Sequence, residues 1–366
     1  MAPPAIPIEV GDLSPSWLTG VLRTHAPGVT VASVDTVAAH SGTTGRVKLR
    51  LHYQGDRGEL PDTVFCKIAP FDLSQRELLR QFGIGAMEAR FYAALGSRLP
   101  VRAPRTWHAE ADDKGGFVMV LEDLDATGCR YPRPSDPDIG ERAASTVEEL
   151  GHLHGMFWED PSLAAGELDW VPERAGFGGG GGKDPAVVAA GATRFVKPAL
   201  AQFSDKMPPA FEAVGTLFVG RAADILDLWD EGERTLIHGD PHSGNLFTDR
   251  GRTGFFDWAM FSRSPGMRDV AYYCCNSLPT EVRRRDQGDL LARYRQALVG
   301  HGVHLNASLA EQQYRLFSVF SWLSAASTAA MGSQWQPSER AVAALERATA
   351  AVDDLDAVGL LHELLG

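Results

Sequence analysis

Up to about residue 124, apolar positions recur at every second residue or in short runs, which is the pattern of strands. VTVASVDTVAAH (29–40) and RVKLRLHY (46–53) are β-branched and alternating, and SGTTG (41–45) between them predicts a hairpin. PDTVFCKIAP (61–70) predicts a third strand bounded by prolines, and two more are expected around 104–109 and at GFVMVLEDL (116–124). Only IGAMEARFYAALGSRL (84–99) breaks the pattern: Ile84, Met87, Phe91, Tyr92, Leu95 and Leu99 follow the 3.6-residue period of a helix. The first third is expected to be a small sheet with one embedded helix.

Beyond Pro132 and Pro134 the texture becomes Ala- and Leu-rich and helical, as in ERAASTVEELGHLHGMFW (141–158), PPAFEAVGTLFVGRAADILDLW (208–229) and EQQYRLFSVFSWLSAAS (311–327). The exception is LIHGDPHSGNLF (236–247) with TGFFDWAMF (253–261), where short apolar pieces flanked by Gly predict strands beside a loop. No internal repeat is visible. The polyglycine run GFGGGGGKD (176–184) fails as a phosphate loop, which needs Gly at Phe177 and Ser or Thr at Asp184, and no strand precedes it. It reads as a connector or a lid.

Composition narrows the classes. With 366 residues, 44% of them hydrophobic, the chain can bury a large core in one big domain or two lobes. A net charge of −12 removes support for an extended nucleic-acid-binding face. The four cysteines show no CxxC spacing, MAPPAIPIEVGDL lacks the basic and apolar regions of a secretory signal, and SVFSWLSAASTAAMG (318–332) is too short to span a bilayer. A cytoplasmic protein without a membrane or nucleic-acid partner is expected.

The loop HGDPHSGN (238–245) admits three chemistries. Zinc binding by His238 and His242 would need a helix, which Gly239 and Pro241 disfavour, and HExxH lacks its Glu here. A plain turn is the commonest fate of Asp, Asn, Gly and Pro. Phosphoryl transfer needs a carboxylate that orients a hydroxyl, an acceptor side chain five residues on for Mg²⁺, and a second carboxylate on a nearby strand; Asp240, Asn245 and Asp257 have that order.

That chemistry also wants a strand lysine and a helix glutamate in the first third. Lys67 lies inside VFCKIA, and Glu88 is four residues from both Ile84 and Tyr92, on the apolar side of its helix. Alone, Lys67 reads equally as an edge-strand lysine and Glu88 as a rim residue. The ordered set of five is what carries the inference. His152 and His154 in GHLHG have no acidic or thiol partner nearby in sequence and read as packing residues.

With these motifs the chain resembles the aminoglycoside phosphotransferase and choline kinase-like superfamily, small-molecule kinases of protein-kinase-like fold. SGTTGR (41–46), CK (66–67), MEARFY (87–92), LEDL (121–124), HGDPHSGN (238–245), FFDW with RDVAYY (268–273) carry the likeness, which spans roughly residues 30–275. The resemblance implies an α+β, two-lobed fold: a small antiparallel-sheet, nucleotide-binding N-lobe over 1–124 with its hinge at 121–124, and a large, mostly helical C-lobe over 125–366 with the catalytic loop.

It further implies ATP and Mg²⁺ as cofactors, Asp240 as the base or hydroxyl-orienting group, and Asn245 and Asp257 as metal ligands. Lys67 would hold the nucleotide phosphates and Glu88 would hold Lys67. Ser41, Gly42, Thr43, Thr44 and Gly45 would cover the phosphates through backbone N–H groups, and the Glu122 carbonyl and Leu124 amide would meet adenine. His242 either approaches the transferred phosphate or packs the loop. Asp269 either braces the loop from below or stabilises its own helix N-terminus.

The expected activity is transfer of the γ-phosphate to a hydroxyl of a small molecule. An apolar alcohol is the favoured acceptor, because the chain ends in VGLLHELLG, and LEDL, GHLHGMFW and VDDLDAVGLL lean towards the branch related to ecdysteroid kinases. Phe317, Phe320, Trp322 and Trp335 would line an apolar pocket or pack the core. The rivals are an aminoglycoside-type antibiotic phosphotransferase, a protein kinase, disfavoured because no A-P-E-like motif follows Asp257, and a nucleotide-binding module without catalysis.

Overall fold

The computed structural model describes residues 5–80, 83–173, 185–332 and 338–366, and the chain divides into two compact units. The first comprises residues 1–130 with 256–259, and the second 131–255 with 260–366. The polyglycine run and Trp335 lie outside the described residues.

The first unit is built on a five-stranded antiparallel sheet, β1 (Thr30–Ser41), β2 (Gly45–Gln54), β3 (Thr63–Ile68), β4 (Thr106–Ala111) and β5 (Phe117–Glu122), in the order β1-β2-β3-β5-β4. Alternation decides its faces. Val47, Leu49 and Leu51 of β2 and Val64, Cys66 and Ile68 of β3 enter an apolar core with Trp17, Leu18, Val21 and Leu22 of helix α1 (Pro15–Leu22). Helix α3 (Ile84–Leu95) packs against β4 and β5. Its Gly85 is required there, since a Cβ would lie 2.2 Å from the Phe117 ring.

Two helices of this unit were not expected from periodicity: α1, and α2 (Leu73–Arg80). Both are 8 residues long, about two turns in which a period can repeat, and each has a capping signal. Ser14 accepts from the Trp17 N–H with Pro15 in the first turn, and Asp72 accepts from the Gln75 N–H. The helix expected over 84–99 stops at Leu95, just before Gly96.

The second unit is mostly helical: α4 (Ile139–Met156), α5 (Pro161–Ala165), α6 (Pro185–Thr193), α7 (Val196–Phe203), α8 (Pro209–Trp229), α9 (Met267–Ser277), α10 (Thr280–Val299), α11 (Ala307–Ala330), α12 (Ser338–Asp354) and α13 (Ala357–Leu365). Two small antiparallel pairs interrupt it, β6 (Thr235–Ile237) with β9 (Ser262–Ser264) and β7 (Leu246–Asp249) with β8 (Arg252–Phe255). The strand expected across 253–261 ends at Phe255. Asp257 then adopts φ 62°, a left-handed conformation that no strand continues through. Among the described residues no helix is long and apolar enough to cross a membrane.

Candidate active site

In the first unit, β3 presents Lys67 and α3 presents Glu88 on the sheet face away from the apolar core. The Lys67 ammonium is 2.5 Å from Glu88 Oε2 and 3.0 Å from Asp257 Oδ1. Lys67 and Glu88 are buried, at 5% and 0% exposure, so each needs the other. Burial opposes the Lys67 charge, yet Asp257 and Glu88 outweigh it and hold the ammonium above the ordinary lysine value. Burial pushes the Glu88 carboxyl upward; Lys67 pulls it back and Asp257 adds a further push. One ammonium thus serves two carboxylates.

The hairpin between β1 and β2 is fixed by its own contacts. Gly42 N–H donates to the Thr44 carbonyl, so it is already used within the turn, and Ser41 Oγ accepts from the Phe71 N–H. A Cβ on Gly45 would lie 2.7 Å from the Ala69 carbonyl and 2.5 Å from the Phe71 ring. Thr43 is half-buried; Thr44 is buried, and among the described residues its Oγ1 has no hydrogen-bond partner. Glu122 and Leu124 lie elsewhere in the unit. The Glu122 carboxylate holds Arg102 at 2.6 Å and the Arg105 N–H at 2.9 Å, and the Leu124 carbonyl accepts from Cys129 N–H.

In the second unit, the segment after β6 carries Asp240, His242 and Asn245 together. Gly239 makes the bend possible: its φ is +84°, and a Cβ would sit 1.9 Å from the Met260 carbonyl oxygen. Asn245 Nδ2 donates to the Asp240 carbonyl at 3.0 Å and to Asp240 Oδ2 at 3.1 Å, which turns the Asn245 carbonyl oxygen away from Asp240. His242 Nε2 is 3.6 Å from Asp240 Oδ2, while its Nδ1 accepts from the Gly244 N–H and caps the turn leading to Asn245. Asn245 immediately precedes β7, whose Leu246 pairs with Phe255 at the end of β8, and Asp257 follows two residues later.

Beneath the loop, Asp269 of α9 is fully buried and accepts from the His238 N–H at 2.6 Å and the Gly239 N–H at 2.9 Å. His154 of α4 contacts it through Nε2 at 3.3 Å and meets the Tyr294 hydroxyl through Nδ1 at 3.0 Å. Burial would raise the Asp269 carboxyl, but the hydrogen bond and charge of His154, with His238 and the Gly239 N–H, hold it below the usual aspartate value. His154 therefore has an acidic partner, which corrects the expectation of a histidine that only packs. That partner is 115 residues away in sequence.

Two polar residues stand inside the quoted motifs RDVAYY and SGTTGR but drew no role from the sequence. Tyr272 of α9 donates from its hydroxyl to Asp240 Oδ1 at 2.7 Å and lies 3.1 Å from Ser324 Oγ of α11. Arg46 of β2 pairs in register with Lys67 of β3. The signal for Tyr272 was its place three residues after Asp269 in RDVAYY, and the signal for Arg46 was its alternation with Val47. Of the expected aromatic set, Phe317 and Trp322 are core residues, Trp322 packing on Phe211 at 5.3 Å. Phe320 is half-buried, with the Arg268 guanidinium 3.9 Å above its ring.

A small antiparallel-sheet unit and a mostly helical unit containing a His-Gly-Asp loop define a protein-kinase-like fold. The sequence matches the phosphotransferase enzyme family over residues 37–303, and the chain belongs to that family. Its structure is similar to a Ralstonia eutropha protein assigned as an aminoglycoside phosphotransferase, with a TM-score of 0.54 and 16% identity over 94% of this chain and 96% of that one. It is also similar to choline kinase from Cryptosporidium parvum (TM-score 0.52, 13% identity, 91% and 93% covered). A Thermobifida fusca protein assigned as a fructosamine-3-kinase gives a TM-score of 0.50 at 18% identity, with 92% and 99% covered. No curated protein matches the sequence.

Proposed function

We propose that the protein is an ATP- and Mg²⁺-dependent kinase that transfers the γ-phosphate to a hydroxyl of a small molecule. The observation that carries this is the buried Lys67–Glu88 pair with Asp257 on the same ammonium, in a chain of the phosphotransferase enzyme family. Structural cores seldom bury an ammonium with two carboxylates when apolar packing would serve as well. Phosphate binding gives such an ammonium a purpose.

The residues fit the cofactors. Asp257, with its side chain 27% exposed, and the Asn245 carbonyl are hard oxygen donors of the kind Mg²⁺ takes alongside water and phosphate oxygens. The orphaned Thr44 Oγ1 in the hairpin suits a phosphate oxygen. Bound Mg²⁺ would offset charge on the phosphates.

In this reading Lys67 binds the phosphates and Glu88 fixes Lys67. Asp240, held through Oδ1 by Tyr272 and through Oδ2 by Asn245, orients the acceptor hydroxyl and takes its proton. The aminoglycoside phosphotransferase, choline kinase and fructosamine-3-kinase named among the structural neighbours support a small-molecule acceptor. Among the described aromatics of the expected set, the half-buried Phe320 favours an apolar alcohol, and that ring carries a guanidinium.

An ATP-consumption assay across amino sugars, choline-like amines, sugars, sterols and hydroxy acids tests the reading. Turnover with at least one alcohol is expected, with Asp240→Ala reducing it by about 10²–10⁴ and leaving nucleotide affinity largely unchanged. Full activity in that variant would remove Asp240 from its role. Failure of the wild-type chain to bind any nucleotide would end the proposal.

A further inference from the structure

We infer that Arg46 is a second phosphate-binding cation beside Lys67, directed at the terminal phosphates of the bound nucleoside triphosphate. The inference rests on the kinase reading above and adds to it a residue that closes the SGTTGR motif but has no role in that reading.

Three observations carry it. First, Arg46 and Lys67 are direct partners in the antiparallel register of β2 and β3, and directly paired residues project from the same face of a sheet. The opposite face of β2 is committed to the core through Val47, Leu49 and Leu51. Arg46 therefore shares the face that carries the Lys67–Glu88–Asp257 cluster, and its charge helps stabilise the Glu88 carboxylate.

Second, Arg46 is half-buried, yet among the described residues its guanidinium makes no hydrogen bond, ion pair or ring contact. The neighbouring cation on that face behaves differently: Lys48 is held by Asp123 at 2.9 Å and by Asp125 at 3.2 Å. A guanidinium offers five donors in a rigid fork that matches phosphate oxygens, and partly removing it from water without a partner is costly. Third, the position is preorganised. Arg46 follows Gly45, which is wedged against Ala69 and Phe71, and stands two residues from the unpartnered Thr44 Oγ1.

The competing reading makes Arg46 a counter-charge for the excess negative charge of Glu88 and Asp257 over Lys67. It forms no ion pair with either carboxylate, and the two readings differ in what a variant loses. A counter-charge acts on folding whatever the ligand, whereas a phosphate ligand acts on binding in proportion to the phosphates present.

The experiment is calorimetric titration of the full chain and of Arg46→Gln and Arg46→Lys with ATP, ADP, AMP and adenosine in the presence of Mg²⁺, alongside thermal unfolding without nucleotide. For Arg46→Gln we expect ATP affinity to fall by about 10- to 100-fold, the range of one charge-assisted contact, ADP affinity by less, and adenosine affinity by less than about twofold. Arg46→Lys should recover part of the ATP loss, and the melting temperature without nucleotide should stay within about 2 °C. Unchanged ATP affinity in Arg46→Gln, or an equal loss for all four ligands, overturns the assignment while leaving the kinase reading intact. A wild-type chain that binds none of the four overturns both.

Discussion

Replacing Asp269 tests whether the loop carrying Asp240 is held by one buried carboxylate. Asp269→Ala strips the acceptor from two buried N–H groups, those of His238 and Gly239, and leaves His154 Nε2 without its contact. Each orphaned donor costs about 1–3 kcal/mol, so the loss should reach about 3–5 kcal/mol, a large part of the 5–15 kcal/mol that keeps a typical domain folded. Asp269→Asn keeps the volume but turns an NH₂ group towards donors, and about 2–4 kcal/mol should be lost.

Urea unfolding followed by circular dichroism reads this directly: the midpoint should fall at constant slope. The pH dependence gives an independent check. Because the folded carboxyl lies below its ordinary value of 3.8, its stabilisation is fully present above that value and is lost as pH falls through the folded pKa. Asp269→Asn should abolish that part of the acid limb. A midpoint shift worth less than about 1 kcal/mol in Asp269→Ala, with the acid limb unchanged, would refute the claim that this carboxylate organises the loop.

Other perturbations follow from the same geometry. Lys67→Met should leave Glu88 buried without its partner and cost about 3–5 kcal/mol, and pairing it with Glu88→Met should restore much of that; a double-mutant cycle in denaturant measures the coupling. Gly239→Ala must either move the Met260 carbonyl or abandon φ +84°, so a loss of at least about 2 kcal/mol is expected in the same assay. Tyr272→Phe removes one hydrogen bond from Asp240 and should lower kcat about fivefold with KM for ATP unchanged, read by steady-state kinetics on whichever alcohol the panel yields.

Much of the fold was legible because the sheet unit obeys local rules. Alternation in β2 separates Val47, Leu49 and Leu51 from Arg46 and Lys48, and a lysine inside VFCKIA is conspicuous because apolar strands seldom tolerate one. The same rules misplace what depends on caps and special dihedrals. Helices α1 and α2 are only 8 residues long, and their Ser14 and Asp72 caps mark them better than periodicity does. The apolar run around Phe255 looks like a longer strand until the left-handed Asp257 ends it.

The support of the candidate site was less legible than its motifs, and the reason is physical. A motif such as HGDPHSGN is local, because a loop must bring its functional groups together within a few residues. The groups that hold the loop are chosen by burial, and any carboxylate or histidine that packing brings underneath can serve. Asp269 is reached from the loop across about thirty residues, and His154 reaches Asp269 across 115. Gly266 shows the constraint this places on the sequence: a Cβ there would lie 2.4 Å from the Tyr294 hydroxyl and 2.6 Å from His154 Nδ1, so the turn before α9 must be glycine for the His154–Asp269 contact to close. That glycine has an ordinary negative φ of −61°, and only the packing around it explains why it is there.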